Sequence, residues 1–156
     1  MTRTHSPWRE AVAVNITLLR QHCRDPWVVI GSTAAALAGA DVTVADLDVL
    51  TSTDDATRLI DMWNDWLDTA YCPEGDDRFR SRFARFRFAD GMPLEVMGDL
   101  ELHGFEGWQP VQVTEIVQVY CAGVSAPIPA IAEQIRMLEN FARPKDLLRA
   151  QLLRAL

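Results

Sequence analysis

Apolar and polar positions along the chain switch period several times, and each switch predicts an element. Residues 8–22 carry Ala11, Val14, Leu18 and Leu19 at helical spacing, which predicts an amphipathic helix. Asp25-Pro26 ends it, because the residue before a proline disfavours the helical region. The run 27–30 is short, apolar and β-branched, and predicts a buried strand. Gly31-Ser32 closes that strand, and 32–39 predicts a compact helix with Ser32 or Thr33 as its cap and Gly39 as its stop. Residues 44–50 alternate, so Asp46 and Asp48 share one side of an extended chain. Residues 51–71 open on cap residues and predict a long helix with Leu59, Met62, Trp63, Trp66 and Leu67 as its apolar stripe.

After a loop at 72–78 the period returns to two. A β-hairpin is predicted, 81–88 pairing with 92–98, then a glycine-containing connection at 98–110 and a strand at 113–123. Pro127 and Pro129 lead into a helix over 130–142, and a last helix runs over 143–156 with Pro144 in its first turn. The order α-β-α-β-α-β-β-β-α-α predicts an α/β (α+β) fold: a mixed β-sheet flanked by helices, with a C-terminal helical pair.

Composition narrows the function classes. A chain of 156 residues, 49% of them hydrophobic, is read as one domain spanning 1–156 with a sizeable core. No apolar run approaches the ~20 residues of a membrane helix, and the first residues lack the apolar core and cleavage site of a signal peptide. A cytoplasmic protein without a membrane partner is expected. Cys23, Cys72 and Cys121 are too widely spaced for a zinc site and odd in number, so they are read as reduced, mostly buried residues. The net charge of −7 argues against non-specific nucleic-acid binding, DNA in particular. Charge is uneven, however: residues 78–87 hold five of the 15 basic side chains.

The chemistry is concentrated in acids that interrupt apolar strands. Asp46 and Asp48 share a strand face, and Glu95 stands in a second apolar strand. If those strands lie side by side, three carboxylates converge. Like charges at close range disfavour ionisation, and a divalent cation relieves the repulsion. Hard oxygen donors select Mg²⁺ or Mn²⁺. Gly31 lets the backbone come close to a phosphate, and Ser32 adds a hydroxyl at the start of a helix.

An apolar strand, Gly-Ser, a short helix, Asp-x-Asp and a later carboxylate on an apolar strand, in that order, resemble the polymerase-beta-like nucleotidyltransferase superfamily. The likeness is to its small bacterial single-domain members, the minimal nucleotidyltransferases. Ile30-Gly31-Ser32 matches the superfamily's glycine signature, Asp46-Leu47-Asp48 its metal-binding pair, and Leu94-Glu95-Val96 its third carboxylate. Gly31 and Asp46 are 15 residues apart, a spacing in keeping with that family. Arg143 to Asp146, "RPKD", is similar to a late Lys-Asp element of toxin-like and resistance-type relatives. The segment before Asp46, "GADVTVA", departs from the pattern by having no arginine.

The resemblance implies a nucleotidyltransferase fold and an Mg²⁺-dependent enzyme. It would transfer a nucleoside monophosphate from a nucleoside triphosphate to a hydroxyl on a small molecule, a protein or an RNA. Asp46, Asp48 and Glu95 are then the catalytic, metal-binding residues, and Gly31 and Ser32 hold phosphates. Arg80 and Arg82 are the chosen cations from the row Arg78, Arg80, Arg82, which Arg85 and Arg87 follow in a second phase; Lys145 is a further candidate. Two alternatives stand beside this reading: an inactive binding or regulatory module of the same fold, and a toxin of a toxin–antitoxin pair.

Overall fold

The computed structural model of the chain describes residues 7–71, 77–88 and 91–156. Helix α1 (Pro7–His22) comes first, followed by strand β1 (Val28–Ile30) and the short helix α2 (Gly31–Leu37). Strand β2 (Leu47–Thr51) and helix α3 (Thr53–Met62) come next. Strands β3 (Phe79–Phe86), β4 (Leu94–Gly104) and β5 (Gly107–Pro110) complete the main sheet. A separate ribbon of β6 (Ile116–Cys121) and β7 (Val124–Pro129) precedes the helical pair α4 (Ile131–Phe141) and α5 (Pro144–Arg154).

The main sheet runs β1-β2-β4-β3, with β5 on the free part of the edge of β4 that β2 also uses. It is mixed: β2 and β4 are parallel, and every other pair is antiparallel. One face, with Leu47, Val49, Ala84, Phe86, Leu94 and Val96, packs on α1 and α3 through Val12, Ile16, Leu19, Ala56, Leu59 and Trp63. The other packs Val28, Ile30 and Leu50 on Met137 and Phe141 of α4. Strand alternation therefore sends Asp48, Glu95 and Arg85 to the α4–α5 side.

Several boundaries differ from the pattern-based expectation. The buried stripe of α1 is Val12, Ile16 and Leu19, and Val14 is 63% exposed. Helix α3 stops at Met62, whereas the apolar pattern predicts helix to about 71. Trp63 leaves the helix to pack edge-on against Phe86 and Phe88, and a 3₁₀ turn at Asn64–Trp66 carries the chain to the edge of β3. There the amide of Asp68 donates to the Arg85 carbonyl at 2.7 Å, and that of Arg87 to the Trp66 carbonyl at 2.8 Å. Tertiary pairing outweighs helical periodicity at this point.

The connection expected at 98–110 is the outer half of β4 plus β5. The single strand expected at 113–123 is one half of the β6–β7 hairpin. Its turn is Ala122-Gly123, with φ of 47° and 85°, the left-handed pair that matches the twist of a hairpin. Pro127 and Pro129 lie inside β7 and not before the helix. They are tolerated because β7 belongs to a two-stranded ribbon with an open side.

Two devices fix α3 over the sheet. Ser52 caps the helix by accepting from the Asp55 amide. Gly98 of β4 lies so close to the start of α3 that a Cβ there would meet the Ser52 carbonyl and the Thr53 Cα at 2.9 Å. Next to it, Asp99 adopts φ +50°, and its carboxylate accepts from the Thr53 amide and hydroxyl. Among the described residues no helix is long and apolar enough to cross a membrane. Cys121 is buried and Cys23 partly buried, both as free thiols; Cys72 lies outside the described residues. Burial, reinforced by Asp55, pushes the Cys23 thiol up to about 12, so it is no nucleophile near neutral pH.

Candidate metal centre

One row across the sheet builds the site. Ile30 of β1 is opposite Asp48 of β2, Asp48 is beside Glu95 of β4, and Glu95 is opposite Arg85 of β3. The parallel β2–β4 register is therefore what brings Asp48 to Glu95. A slip of one residue would turn one of them to the opposite face. Asp46 precedes β2, and the Thr33 hydroxyl of α2 donates to its carbonyl at 2.9 Å, tying it to the Gly31 turn. Asp46, Asp48 and Glu95 each offer a carboxylate oxygen, all within 4.8 Å of one another.

The electrostatics of the three acids are unfavourable as they stand. Asp48 Oδ1 is sealed from solvent and has no hydrogen-bond partner. Burial, then the charges of Asp46 and Glu95, push the Asp48 carboxyl well above the usual carboxylate range. Glu95 is raised too, by burial and then by Asp46; the Arg85 guanidinium, which donates to Glu95 Oε2 at 2.7 Å, only partly offsets this. A buried acceptor without a donor is costly, and in native proteins it calls for a missing partner.

Gly31 closes the other side of the cluster. Its φ is +70°, and a Cβ on it would lie 2.7 Å from Asp48 Oδ2. Glycine is thus required twice, for the left-handed backbone and for the approach to Asp48. Ser32 follows it, buried at the first turn of α2. Three hard oxygen donors from two segments, one with an orphaned buried oxygen, suit a divalent cation. The residues present therefore fit the Mg²⁺ or Mn²⁺ that the fold type implies.

No protein-family model matches the sequence, and no curated protein matches it either. Solved structures do resemble it. A proposed nucleotidyltransferase from Thermotoga maritima, TM1012, superposes with a TM-score of 0.72 at 23% identity, covering 99% of this chain and 94% of that one. The chain has the nucleotidyltransferase fold. The lincosamide antibiotic adenylyltransferase LnuA, solved with lincomycin bound, is similar at a TM-score of 0.60 and 11% identity over 94% of this chain and 96% of that one. An antigenic nucleotidyltransferase-like protein from Paracoccidioides brasiliensis is similar at 0.55 and 14%, over 94% of this chain and 73% of that one.

Within this nucleotidyltransferase fold, the sequence-derived residues separate into two groups. Gly31, Ser32, Asp46, Asp48 and Glu95 come together. Lys145 joins them at the first turn of α5, where its charge acts on both Asp48 and Glu95. Arg80 and Arg82 do not. Arg80 pairs with Glu101 at 2.8 Å and lies over the Trp108 ring, six residues along β4 from Glu95, or roughly 20 Å at strand rise. Arg82 reaches the Thr57 hydroxyl of α3. The shift of register between Arg80 and Arg82 breaks the row into two phases.

The arginine at the site is Arg85, and sequence reading grouped it only as part of the second pair. It contacts Glu95, lies 3.9 Å from Asp46 and 3.6 Å from Asp68, and stacks under the Tyr71 ring at 4.1 Å. Tyr71 in turn stacks on Phe83. Arg149, one turn after Lys145 on α5, also acts on Asp48. The i, i+4 spacing of two cations was legible, but not the direction in which α5 presents them. Among the described residues, neither Lys145 nor Arg149 has an ion-pair partner, so both remain available to an anion. Asp146 is buried and bound bidentately by Arg143, at 2.5 and 3.0 Å; this pairing fixes the start of α5.

Proposed function

We propose that this protein is a divalent-metal-dependent nucleotidyltransferase that moves a nucleoside monophosphate from a nucleoside triphosphate to a hydroxyl acceptor. The observation that carries the proposal is the convergence of Asp46, Asp48 and Glu95 within 4.8 Å around a buried, unpartnered Asp48 oxygen, against a glycine no other residue could replace without a clash. LnuA, an adenylyltransferase, supports it by sharing the fold. Asp46, Asp48 and Glu95 would hold Mg²⁺ or Mn²⁺, and the bound ion would draw charge from phosphate oxygens and acidify the acceptor hydroxyl.

The protein's own groups account for the rest. Gly31 and Ser32 offer backbone and hydroxyl to phosphate oxygens at the start of α2. Lys145 and Arg149 supply the positive charge absent from the segment before Asp46. Arg85 leaves Glu95 Oε1 free to take the acceptor's proton. The acceptor oxygen forms a bond to the α-phosphorus, the bridge to the β-phosphate breaks, and pyrophosphate leaves. The test is isothermal titration of ATP with Mg²⁺ into the wild type and into Asp46→Asn/Asp48→Asn. Binding in the wild type alone is expected. Identical heats in both proteins would overturn the proposal. A screen of labelled nucleoside triphosphates against small-molecule, protein and RNA acceptors then reads the transfer itself.

A further inference from the structure

The three acids of the candidate centre are not the whole of its charge. Arg85 is held beside them on every side. It is 11% exposed, with its Nη1 on Glu95 Oε2 at 2.7 Å, its Nε facing Asp68 at 3.6 Å and Tyr71 covering its plane at 4.1 Å. Asp68 has a partner of its own in Arg87, at 3.3 Å. This arrangement contrasts with Lys145 and Arg149, for which no ion pair is formed among the described residues and whose charge reaches Asp48 from α5. A guanidinium enclosed in this way cannot swing out to a substrate; it acts on the carboxylates.

We propose that Arg85 is a fixed counter-cation of the carboxylate cluster and that it sets the cluster's affinity for divalent cations. It holds Glu95 Oε2 at 2.7 Å and lies 3.9 Å from Asp46 Oδ2, so its charge bears directly on two of the three acids. When ionised, the three acids carry three negative charges. Arg85 offsets part of that charge at contact distance, while Lys145 and Arg149 add theirs from farther off. The inference rests on the metal-dependent reading above and deepens it: it names the residue that sets how tightly the acids hold their ion.

The test uses Mn²⁺ alone, counted by electron paramagnetic resonance, on the wild type, Arg85→Gln, Arg85→Lys and Asp48→Asn, with circular dichroism to verify folding. Removing a positive charge about 4 Å from the ligand oxygens is expected to tighten Mn²⁺ binding in Arg85→Gln about tenfold or more. Arg85→Lys, which keeps the charge, is expected to stay near the wild type. A merely structural role for Arg85 predicts the reverse, weaker binding in both variants. Unchanged or weaker binding in folded Arg85→Gln, or a lysine variant as tight as the glutamine one, would overturn the inference. Mn²⁺ binding that requires Asp48 but ignores Arg85 overturns this inference alone. Binding no stronger in the wild type and Arg85→Gln than in Asp48→Asn overturns the metal-dependent reading with it.

Discussion

Replacing Gly31 by alanine tests the geometry of the site more directly than any substitution of the acids. Two penalties act at this position. The φ of +70° costs an L-residue about 1–2 kcal/mol. The new Cβ would also sit 2.7 Å from Asp48 Oδ2, so the carboxylate or the turn must give, at about 1–3 kcal/mol for overpacking. Gly123 is the control: its φ is +85°, and a Cβ there meets nothing within 4 Å. Gly31→Ala is therefore expected to destabilise by about 2–5 kcal/mol, and Gly123→Ala by only about 1–2 kcal/mol. In urea melts, with slopes of about 1–3 kcal/mol per molar, the two midpoints separate clearly. Adding Asp48→Ala to Gly31→Ala should bring its loss back towards the control value, because the clashing oxygen is gone. The reasoning fails if the two alanine variants melt alike, or if the double variant recovers nothing.

Three further outcomes follow from the same geometry. In the presence of a chelator, the Asp48 carboxyl, raised by burial and its acidic neighbours, makes the folded state hold a proton that the unfolded chain releases near pH 4. Stability from this group is fully present below about pH 4 and lost as pH rises through its raised folded value; Asp48→Asn should reduce that fall, as read from urea melts between pH 4 and 9, and leave the part that Glu95 contributes. Saturating Mn²⁺ should stabilise the wild type by about 2.7 kcal/mol at a hundredfold excess over Kd and leave Asp48→Asn unmoved in thermal melts. Asp55 behaves oppositely to Asp48. Burial opposes its ionisation, but the amides of Arg24 and Asp25, the Arg58 guanidinium and the Thr51 hydroxyl outweigh that and lower its pKa. Its stabilisation is present above about pH 4 and lost as pH falls through its lowered folded value. Asp55→Ala should cost roughly 2–3 kcal/mol at pH 7 by the same melts.

The sequence by itself determined what lies within a few residues. The glycine turn, the hairpin that contains Glu95 and the two C-terminal helices follow from local spacing, and the structure has each of them; the strand expected over 44–50 begins only at Leu47, so that it carries Asp48 and leaves Asp46 just before it. The acidic set was legible because acids inside apolar strands are locally anomalous, whereas Lys145 was a candidate only through the likeness of its segment to a late Lys-Asp element. Where α3 ends was not legible, because Trp63 leaves its helix for the rings of Phe86 on β3 and Phe88 just beyond it. The pairing of β5 with β4 uses an edge that exists only once the sheet is formed, and the second strand of the β6–β7 hairpin is hidden in the sequence by Pro127 and Pro129. Above all, tertiary structure decided which arginine serves the site. All five in 78–87 look alike along the chain, yet only Arg85 stands opposite Glu95. Register between distant strands is set by the packing of both sheet faces at once, and no window of local sequence contains that information.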